Sequence, residues 1–354
     1  MNRRKFIVGT AAAGAGAIAS LSQLGAQVPS APPVPAPTGR GRGSAAQVAP
    51  ERLARIGMMT LNHSAILKLP WNANPTPVQT LDLMDLPQYY VDVYGVRNVE
   101  FQHGHLAQNQ DSPDPEVFKA LKAKFDAVGS KANQINCEIG SMARMTPEGK
   151  AVGLDPEARA AWLVRGKKWA DVAPLLGIKR LMLNQGALTE DSRPAVASLW
   201  KELADYARPK GLIVSNEARG SGAPVYTLPR AGGPGAPAAP AAPPAAPVLS
   251  EPERLRYVWG ILGDTAADAG GHTNLDWGGA GRFKSQQQLN DGIKGLLKTN
   301  SGNMHVKSSP DWDIASTVRY AESIGYKGLY TIEVSTDPVI RIVYNTILAG
   351  LAQV

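Results

Sequence analysis

Eight short runs rich in β-forming residues recur along the chain, each followed by a longer stretch whose apolar residues repeat at helical spacing. The short runs fall at 55–62, 98–102, 134–140, 180–186, 212–218, 273–278, 303–308 and 329–334. The helical stretches fall at 87–94, 115–128, 159–176, 195–207, 251–269, 286–297, 314–324 and 338–351. Several of these helices run into a glycine that leads directly into the next strand, as at Gly95, Gly177, Gly211 and Gly325. Strict strand-then-helix alternation implies parallel strands joined by helical crossovers. Eight such units favour a closed (β/α)₈ barrel over an open doubly wound sheet, and no glycine-rich dinucleotide fingerprint follows the first strand. The expected architecture is an α/β TIM barrel forming one domain.

The barrel accounts for residues 51–354, not for the whole chain. Residues 1–26 begin with Arg3-Arg4-Lys5-Phe6, continue through a Gly/Ala-rich apolar stretch and end at Leu24-Gly25-Ala26. This pattern reads as a signal peptide of the twin-arginine type, cleaved near Ala26. The expected partner is the twin-arginine export machinery, and the expected location is periplasmic or extracellular. The apolar stretch is too short and glycine-rich for a stable membrane span. Residues 27–50 are Pro-, Ala- and Gly-rich and read as a flexible linker. A second low-complexity stretch, 229–247, interrupts the loop after the fifth strand as an insertion.

Charge and cysteine content narrow the classes further. The net charge is +7, and loss of the three cations Arg3, Arg4 and Lys5 leaves +4. The remaining basic residues are dispersed, which speaks against nucleic acid as a partner. Cys137 is the single cysteine, so an exported form gains no intramolecular disulfide.

In a barrel, the carboxyl ends of the strands converge on one rim, where chemistry is built. Ionisable or amide side chains stand at nearly every such end: Asn62 and His63, then Glu100 with His103 and His105, then Glu138 and Asn184. Glu217, Asp276, His305 with Lys307, and Glu333 complete the circuit. The last four strands give one potential ligand each: Glu217, Asp276, His305 and Glu333. Three carboxylates and an imidazole suit one divalent metal ion such as Mn²⁺, Mg²⁺, Co²⁺ or Zn²⁺. Glu100, His103, His105, Asn184, Arg219 and Lys307 are the candidates for substrate binding. Trp71 and Trp277 are aromatic faces suited either to a sugar ring or to core packing.

Several stretches carry a resemblance. These are Asp85-Leu86-Pro87, Tyr94-Gly95-Val96, Val99-Glu100, Asn216-Glu217-Ala218-Arg219-Gly220, Leu275-Asp276-Trp277-Gly278, Met304-His305-Val306-Lys307 and Thr331-Ile332-Glu333. Across residues 55–350 the chain resembles the sugar phosphate isomerase/epimerase superfamily, the xylose isomerase-like TIM barrels. The resemblance implies that Glu217, Asp276, His305 and Glu333 bind one metal. It also implies that Glu217 and Glu333 form the acid/base pair, as in members that epimerise ketoses. The chain departs from the family where Glu217-Ala218-Arg219-Gly220 replaces the usual Glu-Asn-His-Gly turn. Five histidines in all, and none in the Trp277-Gly278-Gly279 stretch that follows Asp276, do not suit the three-zinc site of members resembling endonuclease IV.

The expected function is a metal-dependent sugar or keto-sugar isomerase or epimerase, working by proton abstraction next to a carbonyl through a metal-stabilised enediolate. One alternative is a lyase or dehydratase acting on a keto-inositol or keto-glycoside with the same first step. A second is a non-catalytic exported sugar-binding protein.

Overall fold

The computed structural model describes residues 48–140, 142–145, 151–185, 188, 190, 192–217, 255–278 and 283–354. The signal and most of the linker read above, Arg219 and the 229–247 insertion lie outside the described residues.

Eight parallel strands close into a barrel in the order β1-β8-β7-β6-β5-β4-β3-β2. They are β1 (Ile56–Met59), β2 (Asn98–Gln102), β3 (Lys131–Cys137), β4 (Arg180–Leu183), β5 (Ile213–Glu217), β6 (His272–Asp276), β7 (Asn300–Val306) and β8 (Leu329–Ile332). Closure comes from β1, which pairs with β8 through Gly57↔Thr331 and with β2 through Gly57↔Asn98. The principal helices are α1 (Leu86–Tyr94), α2 (Pro115–Val128), α3 (Pro156–Val172), α4 (Arg193–Ala207), α5 (Ile261–Asp268), α6 (Gln286–Leu296), α7 (Ile314–Ser323) and α8 (Asp337–Leu351). The alternation read from the sequence is therefore a (β/α)₈ barrel, with strand ends shifted by a few residues.

Local chemistry sets the boundaries. Helix α2 starts where Asp114 accepts from the Glu116 amide and Pro115 occupies the first turn. Helix α1 stops at Gly95, whose φ of 70° lets its own amide reach Val91 O at 2.9 Å and that of Val96 reach Tyr90 O at 3.2 Å. The run expected to stay extended to residue 62 instead turns at Thr60 into a 3₁₀ turn, Thr60–His63. The Thr60 hydroxyl oxygen accepts from the Gln102 amide at 3.0 Å and lies 2.8 Å from His105 Nδ1, tying that turn to the end of β2. Two small sheets were not legible in the sequence. Leu67–Lys68 pairs with Leu81–Asp82 in the loop after β1, and Ala143–Met145 pairs with Ala151–Leu154 in the loop after β3.

The outward strand faces carry the apolar core. Met58, Phe101, Ile135, Leu181, Leu275, Val306 and Tyr330 are buried against helix residues such as Tyr90, Phe118, Trp162, Trp169, Ile293 and Ile347. The inward faces are polar. Gln134 reaches across to Asn274 (3.4 Å), and Asn303 donates to Glu100 (2.8 Å), so amides span the barrel from opposite strands. Gly57 leaves room for this arrangement: a Cβ there would fall 2.4 Å from the Thr331 hydroxyl.

An ion pair stands at the amino-terminal end of the strands. Arg55 meets Glu322 through Nη2–Oε1 at 2.5 Å and Nη1–Oε2 at 3.1 Å, while its Nε donates to Gly328 O at 2.8 Å. Tyr330 donates its hydroxyl to the same carboxylate at 2.9 Å. Burial raises the Glu322 carboxyl, but these donors outweigh it and hold the group below its usual range. Breaking a buried pair by removing one charge is costly, less so here because the Arg55 side chain is 20% exposed. Glu322→Gln is expected to lower folding stability by about 2–3 kcal/mol. A denaturant midpoint equal to that of the parent chain would contradict this.

Candidate metal centre

Three of the four residues expected to bind metal converge at one point. Glu217 ends β5, His305 stands one residue before the end of β7, and Glu333 directly follows β8. Parallel pairing brings the last two together, with His305 opposite Thr331 and the Glu333 amide donating to Val306 O at 3.1 Å. His305 Nδ1 lies 3.0 Å from Glu217 Oε1 and 2.9 Å from Glu333 Oε2. One ligand atom from each of Glu217, His305 and Glu333 lies within 4.8 Å of the others. Two carboxylate oxygens and an imidazole nitrogen at this spacing fit a divalent cation.

The fourth expected ligand sits beside this trio rather than in it. Asp276 closes β6, and its Oδ1 accepts from the Gly278 amide at 2.9 Å. Its Oδ2 lies 3.0 Å from Lys307 Nζ, which also lies 3.1 Å from Glu333 Oε1. The ammonium thus bridges Asp276 to the cluster and occupies the space between two carboxylates.

Electrostatics in this dense group follow from burial and sign. Burial alone would lower the pKa of His305. The carboxylates of Glu100 and Glu333 and hydrogen bonds to Glu100 and Glu217 outweigh it, and the imidazole is held well above its ordinary 6.5. Lys307 is likewise pushed down by burial but raised overall by Asp276, Glu333 and Glu217. Burial raises the Glu333 carboxyl, yet His305 and Lys307 leave it below its usual range. Two basic side chains thus stand among four acidic ones.

The expected substrate-contacting residues divide into two groups. Lys307 is at the rim, 23% exposed, and Asn184 follows β4, where the Trp162 indole donates to its main-chain oxygen at 2.8 Å. Glu100 is 1% exposed and lies beneath His305, with Oε1 2.8 Å from Nε2. His105 is buried between Thr60 (2.8 Å) and Ser64 (3.3 Å), and His103 Nδ1 accepts from the Glu138 amide at 3.1 Å. Burial pushes both imidazoles down to about 4, so they are neutral at physiological pH. Trp277 is fully buried, packed edge-on to Tyr330 with its indole N–H toward Met304 sulfur at 3.4 Å, a core residue rather than a sugar platform.

Sequence reasoning missed the amides below the rim: Gln134, Asn274 and Asn303, together with Thr331. A signal was present in β7, where Asn303 and His305 alternate with Met304 and Val306. Period-two alternation places Asn303 on the same inward face as the histidine.

No protein-family model and no curated protein matches the sequence. Solved structures do match in shape. A sugar phosphate isomerase/epimerase from Parabacteroides distasonis superposes with a TM-score of 0.54 at 15% identity, covering 85% of this chain and 95% of its own. A 3-keto-D-glucoside 4-epimerase from E. coli gives 0.52 at 11% identity, covering 84% of this chain and 99% of its own. A xylose isomerase-like TIM barrel protein from Mycobacterium smegmatis, in complex with magnesium, gives 0.50 at 14% identity, covering 86% and 98%. Identities this low establish a shared fold. The chain has the barrel shape of the xylose isomerase-like proteins, with Glu217, His305 and Glu333 gathered on its carboxyl-end rim.

Proposed function

We propose that the protein is a metal-dependent isomerase or epimerase of sugars or keto-sugars. The observation that carries this reading is the convergence of Glu217, His305 and Glu333 from three different strands onto one point. These residues would hold a divalent cation, with Asp276 joining them through movement of Lys307. When bound, the cation supplies the positive charge that makes a C–H beside a carbonyl acidic enough to lose its proton. The protein does the rest. Glu217 and Glu333 approach His305 Nδ1 from two strands, and we assign them removal and return of the proton. Lys307, charged and partly exposed, is placed to hold a developing oxyanion or a substrate hydroxyl. His105, buried, and His103, half-buried, are both neutral and support the floor of the rim. Barrels of the same shape named as a sugar phosphate isomerase/epimerase and a keto-glucoside epimerase favour a carbohydrate substrate. The export signal read in residues 1–26 favours one without phosphate.

Incubation with ketoses, aldoses and 3-keto-glycosides in D₂O, with Mn²⁺ present for turnover and removed before proton NMR, tests the reading. The expected result is deuterium at the carbon beside the carbonyl of one substrate class, with inversion or migration of the carbonyl and no loss of a substituent. Release of a β-substituent would identify the lyase chemistry instead. Sugar binding without exchange in any member would leave a non-catalytic binding protein.

A further inference from the structure

Below the rim, the Glu100 carboxylate takes three contacts although the residue is 1% exposed. Its Oε1 lies 2.8 Å from His305 Nε2 and accepts from Gln134 Nε2 at 3.1 Å, and its Oε2 accepts from Asn303 Nδ2 at 2.8 Å. The surroundings fix the direction of both amide bonds. The Asn303 nitrogen also donates to Asn274 Oδ1 at 3.1 Å, while Asn303 Oδ1 accepts from the Thr331 hydroxyl at 2.6 Å. The Gln134 nitrogen also faces Asn274 Oδ1, at 3.4 Å. Turning either amide over would set its oxygen against an oxygen of the Glu100 carboxylate, with no proton between them. Both amides therefore donate, Glu100 is an acceptor, and its contact with the histidine requires the proton to sit on Nε2.

From this we propose that Glu100 is a positioning residue that fixes the His305 tautomer and aims the Nδ1 lone pair at the cation held by Glu217 and Glu333. The proposal rests on the metal reading above and assigns the strand-two carboxylate a role other than substrate contact. A neutral imidazole has one lone pair. With Nε2–H engaged below, that pair lies on Nδ1, 3.0 Å from Glu217 Oε1 and 2.9 Å from Glu333 Oε2. Without an ion a proton on Nδ1 bridges these atoms; a bound cation would take that proton's place and use the lone pair. A carboxylate behind a ligating histidine also makes the ring a better donor and holds its plane. Thr331 orients Asn303, Asn303 and Gln134 orient Glu100, and Glu100 orients His305. The chain of bonds runs from the middle of the barrel to the rim.

The test uses the full chain with Co²⁺ or Zn²⁺ alone as the probe. Calorimetric titration with Co²⁺ is expected to show about 10- to 100-fold weaker binding in Glu100→Gln than in the parent, with partial recovery in Glu100→Asp. In parallel, long-range ¹H–¹⁵N correlation on histidine-labelled parent protein with Zn²⁺, His305 being assigned through His305→Asn, is expected to place the proton on Nε2 and the metal on Nδ1. This second measurement decides the matter if Glu100→Gln does not fold. Equal Co²⁺ affinity in the parent and in a folded Glu100→Gln, or zinc on Nε2 with the proton on Nδ1, overturns the proposal. Failure of the parent to bind either ion overturns the metal reading itself, and this role with it.

Discussion

Glu217→Gln and Glu333→Gln are each expected to lower turnover by about 10²–10⁴-fold while leaving the circular dichroism of the barrel unchanged. The amide keeps the size of the carboxylate but neither takes up nor returns a proton at these pH values. The two variants are expected to differ in one respect. Glu217 touches the cluster through His305 (3.0 Å), whereas Glu333 also holds Lys307 at 3.1 Å. Glu333→Gln therefore loosens the ammonium as well and is expected to raise KM, while Glu217→Gln acts mainly on kcat. Initial rates over a range of substrate concentration separate these effects. Turnover at the parental rate in either folded variant would remove the two-carboxylate pair from the chemistry.

Removal of the metal is expected to be as severe. Dialysis against a chelator should bring turnover to background, and Mn²⁺, Co²⁺ or Mg²⁺ should restore it. Stability should follow occupancy, because an ion bound only by the folded state adds about 2.7 kcal/mol when its free concentration is a hundred times Kd. The thermal midpoint is thus expected to fall on chelation and to rise with added ion. The stripped protein should nonetheless remain folded. With the imidazole of His305 held above its ordinary pKa, a proton partly replaces the cation among the carboxylates. Full activity after verified stripping would exclude a metal-dependent mechanism.

Much of the architecture was legible because the pattern that specifies it repeats eight times. Helix ends such as Gly95 announce themselves chemically, through a left-handed backbone. The rim was legible for a related reason, since an ionisable residue at the end of a β-rich run has few places to go except that rim. Where reading failed, long-range partners were responsible. Thr60 looks like one more extended residue until Gln102 and His105, brought up from the neighbouring strand, claim its hydroxyl oxygen. Asp276 looks equivalent to Glu217 until Lys307, two residues after His305, pairs with it at 3.0 Å. Glu100 reads as a rim residue beside His103 and His105, yet it stands at the middle of the five-residue β2. Only the register that sets it under His305 shows that it faces the interior.

The amides inside the barrel also bear on how this sequence can change. Most (β/α)₈ barrels fill that space with branched aliphatics, which exchange for one another at modest cost. Here Gln134, Asn274, Asn303, Thr331 and Glu100 are tied into one hydrogen-bonded set, and Gly57 leaves the gap into which Thr331 fits. Replacing one member abandons a polar atom of its neighbour in a place water cannot easily reach. Evolution can therefore move through this plug only by concerted steps, while the rim loops above it remain free to drift toward new substrates.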